Sequence, residues 1–295
     1  MPTIRLTGAW LERAALAWKG KSAMRSPQDP ISWCDTHCHL DAGEFAGMQT
    51  EVIERSRAAG VGRWIVPAVE ASAFGTLVAF AHATPGLGYA LGIHPLFVEG
   101  ALAEDIEKLD ACLGEHRNDG QLLAVGEIGL DRYPGHPAYE RQLWFFEQQL
   151  RLARRHDLPV IVHARRSADP VHAGLRRFGL RRGIVHAFNG SPEQAHALIR
   201  QGMHLGFGGA LTFEGSRRIR RLAAELPLQA MLLETDAPDI RPSWYAPGSL
   251  KPNEPAELPR IGACLAQLRA TTPEALGAAL ELNLRQLFPV WTKSL

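Results

Sequence analysis

Residues 122–164, LLAVGEIGLDRYPGHPAYERQLWFFEQQLRLARRHDLPVIVHA, read as strand, helix, strand. The runs LLAVGEIGL and LPVIVHA are short and mostly apolar, as strands buried on both faces must be. Between them, residues 137–157 carry the amphipathic spacing of a helix. The same alternation extends in both directions. ISWCDTH, RWIVPAV and GYALGIHP precede it, and RGIVHAF, MHLGFGG and QAMLLETD follow, which makes eight candidate strands. SPEQAHALIRQG (191–202) is a second clear helix, with Ser191 as N-cap, Pro192 at the first position and Gly202 after the end. Strand and helix alternating eight times predicts an α/β fold, a (β/α)8 barrel of the TIM type. A doubly wound open sheet would use the same alternation, but no G-x-G-x-x-G follows the first strand.

At 295 residues and 46% hydrophobic, the chain is long enough for one large barrel. Residues 1–30 stand outside the rhythm: LTGAWLERAALAWKG is amphipathic and SPQDP is turn-rich. The expectation is an N-terminal extension over 1–30, dispensable or reflecting a translation start at Met24, and a single (β/α)8 barrel over 31–295. After the eighth strand, APDIRPSWYAPGSLKPNEP is an irregular proline-rich loop, and loops that long inside a domain are usually functional. Two helical stretches then follow, near 254–269 and 273–287.

A formal net charge of +1 gives no overall pull toward polyanions. Cys34, Cys38, Cys112 and Cys264 have no C-x-x-C spacing, so free and mostly buried thiols are expected. No apolar run approaches the roughly 18 residues of a membrane span. Glu12, Arg13 and Lys19 interrupt any signal-peptide core. The expected compartment is the cytoplasm, with no membrane contact and no obligatory protein partner.

In such a barrel, chemistry collects at the C-terminal ends of strands. His37 and His39 end strand one in WCDTHCHLD; i and i+2 of an extended chain point to one side, so the pair aims at one place. Glu127 lies late in strand four, His163 ends strand five, His186 ends strand six and Asp236 ends strand eight. Four histidines and two carboxylates without a thiolate suit Zn, Mn, Co or a carboxylate-rich Mg site. Six side chains are too many for one catalytic metal that must keep open positions, so two divalent metal ions are implied. Glu127, midway around the barrel, is placed to bridge them.

The segments DTHCHLD, GIHP, GEIGLD, VIVHARRS, HAFNGS and LLETDAPD, in this order between about residues 33 and 289, resemble the TatD family of metal-dependent hydrolases within the amidohydrolase-like barrels. VPAVEASAF, HARRS and ETDAPD followed by PNEPAELPRI are most similar to its YjjV-like branch. The resemblance implies a first metal on His37, His39 and Asp236, a second on His163 and His186, and Glu127 between them. It also implies a deoxyribonuclease-like activity. A water activated by both metals would attack a phosphodiester in DNA, at a strand end, with Asp236 able to accept a proton and Glu127 completing the catalytic pair. The alternative is a carboxylic ester or amide hydrolase, such as a D-aminoacyl-tRNA deacylase. HAFNGS departs from the commoner family spelling at Ala187 and Asn189, which puts substrate identity in doubt, not metal binding.

Two further residues are substrate-binding candidates. His94 in GIHP faces the same rim, and Arg165 carries a guanidinium that matches phosphate oxygens. Asp131 is expected to orient a ligand. His82, His116, His156, His172 and His196 fall in helical patterns and read as surface or packing residues. The arginine runs RLARR, RRFGLRR and RRIRR lie on outer helices and read as solvated faces, so nucleic acid as partner rests on the family resemblance.

Overall fold

The apolar runs do pair side by side in chain order. In the computed structural model, which describes residues 32–293, the strands are Trp33–Asp35 (β1), Val61–Pro67 (β2), Leu87–Leu91 (β3), Leu122–Asp131 (β4), Val160–Arg165 (β5), Gly183–Val185 (β6), Met203–Phe207 (β7) and Met231–Leu233 (β8). All seven ladders are parallel and join consecutive strands. The last strand returns to the first through the Thr36 amide, which donates to Leu233 O at 3.2 Å, and the Asp236 amide, which donates to His37 O at 2.9 Å. The barrel is therefore nearly closed.

Each strand is followed by a helix: Gln49–Ala58 (α1), Phe74–Ala83 (α2), Glu104–Glu115 (α3), Tyr139–Arg155 (α4), Ala168–Arg177 (α5), Pro192–Arg200 (α6), Arg217–Glu225 (α7) and Leu258–Leu268 (α8). One more, Pro273–Leu287 (α9), ends the barrel. Ser191 caps α6 as expected. Its Oγ accepts the Gln194 amide at 3.2 Å while Gln194 Oε1 accepts the Ser191 amide at 2.9 Å, a reciprocal cap worth about 1 kcal/mol.

Two apolar cores result. The larger lies between strands and helices and holds Trp64, Tyr89, Phe145, Phe146 and Phe207. The smaller fills the cylinder from its N-terminal end: Ile65, Leu123, Ile161, Ile184 and Leu232 meet Leu284, Leu287, Phe288 and Trp291 from the end of α9. Arg63 pairs with Glu281 of α9 and lies over the Trp291 ring. The C-terminal segment thus seals that end.

The structure corrects some boundaries. The ladders stop at Asp35, Val185 and Leu233, so His37, His39, His186 and Asp236 stand just beyond their strands, where the chain turns away from its neighbours. The helix expected from 254 begins as a single 3-10 turn, Pro255–Glu257. The cysteines are free, but only Cys38 is fully buried; Cys34, Cys112 and Cys264 are partly exposed. The expected extension over residues 1–30 lies outside the described residues.

Candidate metal centre

The six residues expected to bind metal converge at the C-terminal mouth, and Glu127 stands at their middle. Its two carboxylate oxygens divide the neighbours between them. Oε2 is 3.1 Å from His37 Nε2 and 3.5 Å from His39 Nε2. Oε1 is 2.7 Å from His186 Nε2, 3.2 Å from His163 Nδ1 and 3.2 Å from His94 Nε2. Asp236 completes the first group, with Oδ1 at 3.5 Å from His37 Nε2 and 3.8 Å from His39 Nε2. Three sets of donors therefore lie within metal-binding reach of one another: His37, His39 and Asp236; His37, Glu127 and His186; and His94, Glu127 and His163.

His94 is the residue whose surroundings differ most from the expectation of a rim contact. It is buried, its Nδ1 accepts the Leu96 amide at 3.1 Å, and its Nε2 faces Glu127. Arg165 lies outside the cluster, exposed, with its guanidinium 4.1 Å from the Tyr133 ring centroid. Asp131 is positioned as expected: its Oδ2 is 2.9 Å from His163 Nε2, which leaves Nδ1 for Glu127 and His186.

Two buried carboxylates escaped the sequence reading. Asp35 accepts the amides of His37 at 3.3 Å and Thr235 at 2.9 Å and also takes the Thr235 hydroxyl, tying the end of β1 to the end of β8. Glu234 accepts the Ala187 amide at 2.5 Å and lies against Gly206, where an added Cβ would come within 2.1 Å of its carboxylate. The period-2 spacing of Asp35 with His37, and of Glu234 with Asp236, was the available signal. Asp236 and Ala187 both adopt left-handed backbone, φ 55° and 44°, a conformation that costs a non-glycine residue about 1 kcal/mol or more and that clusters at functional sites.

The electrostatics reflect charges forced together in a dry place. Burial opposes a proton on His186, but Glu127, Asp236 and Glu234 overcome it and raise its pKa to about 10. Burial likewise opposes charge on His163, yet Asp131 and Glu127 raise it. Burial holds His37 well below the ordinary imidazole value and His94 at about 4. Glu127 is drawn well below the carboxylate range, because His186, His94 and His37 outweigh its burial. Burial pushes Asp236 up, Asp35 to about 7 and Glu234 to about 8.

This donor set fits divalent cations. His37 is fully buried, yet neither of its ring nitrogens makes a hydrogen bond, and its ring stacks on that of His186 at 3.8 Å between centroids. A buried imidazole without a hydrogen bond is costly, and one aimed at two carboxylates is what a cation would satisfy.

The family described as TatD related DNase matches residues 34–289. The uncharacterized metal-dependent hydrolase YjjV of Escherichia coli K12 is 40% identical over 257 residues, covering 87% of this chain and 97% of that protein. The crystal structure of E. coli YjjV superposes with a TM-score of 0.84 at 40% identity, over 88% of this chain and 99% of that one. The 3'-5' ssDNA/RNA exonuclease TatD of a Pantoea species is 32% identical over 264 residues, covering 86% of this chain and 98% of that protein.

Proposed function

The chain belongs to the TatD-related DNase family and is a metal-dependent hydrolase; from that premise we propose that it cleaves phosphodiester bonds in DNA from a strand end, with two divalent cations held on either side of Glu127. The observation that carries this reading is the division of Glu127, one oxygen toward His37 and His39 and the other toward His94, His163 and His186. His37, His39 and Asp236 would hold the first ion, His163 and His186 the second, with Mg, Mn, Zn or Co as candidates. Such ions supply Lewis acidity, lowering the pKa of a water and offsetting charge on phosphoryl oxygens.

The chain's own groups do the rest. Asp236, the only carboxylate of the cluster with appreciable exposure, 13% at its side chain, is placed to take the proton that a nucleophilic water gives up. Asp131 fixes His163 in the orientation that faces Glu127. Asp35 holds the His37 amide to Thr235, so the two strand ends bearing His37 and Asp236 keep one geometry. His94, with Nδ1 used by the Leu96 amide, presents an Nε2 proton beside Glu127 and is proposed to meet the leaving group. Arg165, two residues past His163, is proposed to hold phosphate.

A carboxylic ester or amide, including a D-aminoacyl-tRNA, is the rival substrate class. Metal-depleted protein reconstituted separately with Mg²⁺, Mn²⁺ and Zn²⁺ would be assayed on single-stranded DNA, a phosphodiester reporter and an ester reporter. Turnover of the DNA and phosphodiester is expected; turnover of the ester alone would replace this reading with the rival one.

A further inference from the structure

Some arginines of the outer surface are neutralised by carboxylates where they stand. Arg155 pairs with Asp110, Arg177 with Glu147 at 2.6 Å and Arg182 with Asp157 at 2.7 Å. Arg165 and Arg166 stand at and just past the end of β5, two and three residues beyond His163. Both are exposed, and among the described residues neither forms an ion pair with a carboxylate. Instead both guanidinium groups stack on one ring, that of Tyr133, with Cζ at 4.1 and 5.1 Å from its centroid.

Adjacent residues of an extended chain point to opposite sides. Arg165, two residues from His163 at the end of β5, shares the side that His163 uses; Arg166 would point away. It does not, because its backbone is left-handed, φ 54°, an unfavourable state for arginine. Two positive groups held near each other at such a cost call for an anion between them or beside them.

The platform is coupled to the metal centre. Asp131 pairs in register with Arg165, the Arg132 amide donates to Arg165 O at 3.0 Å, and the Tyr133 amide donates to Asp131 Oδ1 at 2.8 Å. The other oxygen of Asp131 is 2.9 Å from His163 Nε2. In an extended chain the Cα atoms of His163 and Arg165 are at most about 7 Å apart, so Arg165 leaves the backbone one short step from the cluster.

We propose that Arg165 and Arg166, held on Tyr133, form a second phosphate subsite that grips the phosphate next to the scissile one, so that the enzyme selects an oligonucleotide over an isolated phosphodiester or a carboxylic ester. The proposal rests on the phosphodiesterase reading above and sharpens it. The stacked ring leaves the N–H edges of both guanidinium groups free for bidentate bonds to phosphate oxygens. It also lowers the entropy lost when two long side chains are fixed on a ligand.

The test compares kcat/KM on a short oligothymidylate with kcat/KM on bis(p-nitrophenyl) phosphate, which has no second phosphate. Arg166→Ala, Arg165→Ala and Tyr133→Ala should each lower the oligonucleotide-to-reporter ratio roughly tenfold, chiefly through KM. Tyr133→Phe, which keeps the ring, and Arg177→Ala on the outer surface should leave the ratio where it was. Binding of a fluorescein-labelled phosphorothioate oligothymidylate, which resists hydrolysis, gives an independent reading. The slope of log K against log salt should fall by about 0.7 for each arginine removed. An unchanged ratio and slope in Arg166→Ala, with unaltered melting temperature, overturns the subsite. If the wild-type protein binds the oligonucleotide with the expected slopes but hydrolyses no phosphodiester, the subsite stands and the proposed activity falls.

Discussion

Ile161 and His163 lie two residues apart on one strand, and Ile184 and His186 repeat the spacing at the end of the next. The lower member of each pair belongs to the apolar plug that α9 seals, and the upper member belongs to the cluster around Glu127. Leu232 on β8 and Glu234 just past its end continue the pattern. Alternation sends both members of a pair to the same side of the strand; depth along the cylinder decides whether the neighbours are methyl groups or carboxylates. The lower layer holds the fold together, and the upper layer concentrates carboxylates and imidazoles in a dry space. One cylinder thus separates stability from chemistry by a step of two residues.

The largest effect is expected from substitution in the upper layer. Glu127→Gln keeps side-chain volume while removing the charge that both groups of imidazoles face. Bound metal per chain should fall at both sites, and turnover should drop by about 10³-fold or more, a far larger effect than any loss of stability. His163→Ala should empty mainly the second site. Among the described residues no arginine pairs with Glu127, so a purely structural ion pair is not what this substitution breaks. A Glu127→Gln protein that retains two metals and near-normal turnover would sink the bridging role.

The lower layer should respond in the opposite way. Leu287, 3% exposed in the plug, when cut to alanine should cost about 2–5 kcal/mol of stability through the cavity left behind, read by denaturant unfolding. Metal per chain and kcat should stay within about twofold at a temperature where the variant is folded. Loss of metal from Leu287→Ala would show that the two layers are not separable.

Proton linkage offers a third contrast. In the metal-free protein His186 is raised to about 10, His163 is raised, and Glu234 is raised to about 8. A group whose folded pKa lies above its unfolded one stabilises fully below the unfolded value and loses that contribution as pH climbs through the folded one. Metal-stripped protein should therefore melt earlier as pH rises from about 6.5 to 10, by roughly 5 °C or more. Metal-loaded protein, whose histidine ligands are already unprotonated, should show a much flatter profile over the same range. Matched thermal scans decide it, and parallel curves would remove the cluster from the account.

The smallest effect is expected at the chain's start. Because α9 and Trp291 already seal the N-terminal end of the cylinder, a chain beginning at Met24 should keep its metal content and lose no more than a few degrees of melting temperature, about 1 kcal/mol. A large loss would show that residues 1–23 pack on the core.

The strand-helix rhythm was legible because buried parallel strands need continuous apolar runs and amphipathic helices need a 3.6-residue period, both local properties of sequence. His37, His39, Glu127, His163, His186 and Asp236 could be picked out for a related reason: each interrupts or ends an apolar run with an ionisable side chain. What local pattern could not carry is depth and partnership. Asp35 and Glu234 escape the sequence reading because their amide and hydroxyl partners are contributed from about 200 and 47 residues away. His94 reads as a rim residue until burial turns it toward Glu127. Strand alternation alone would turn Arg166 away from Arg165, and one left-handed φ departs from it. The sequence by itself determined which side chains exist at each strand end and hence the chemistry available. Only the closed barrel decided which of them share a dry space within hydrogen-bonding reach, because hydrogen-bonded strand neighbours, and the burial that shifts a pKa, are contributed by segments far apart in the chain.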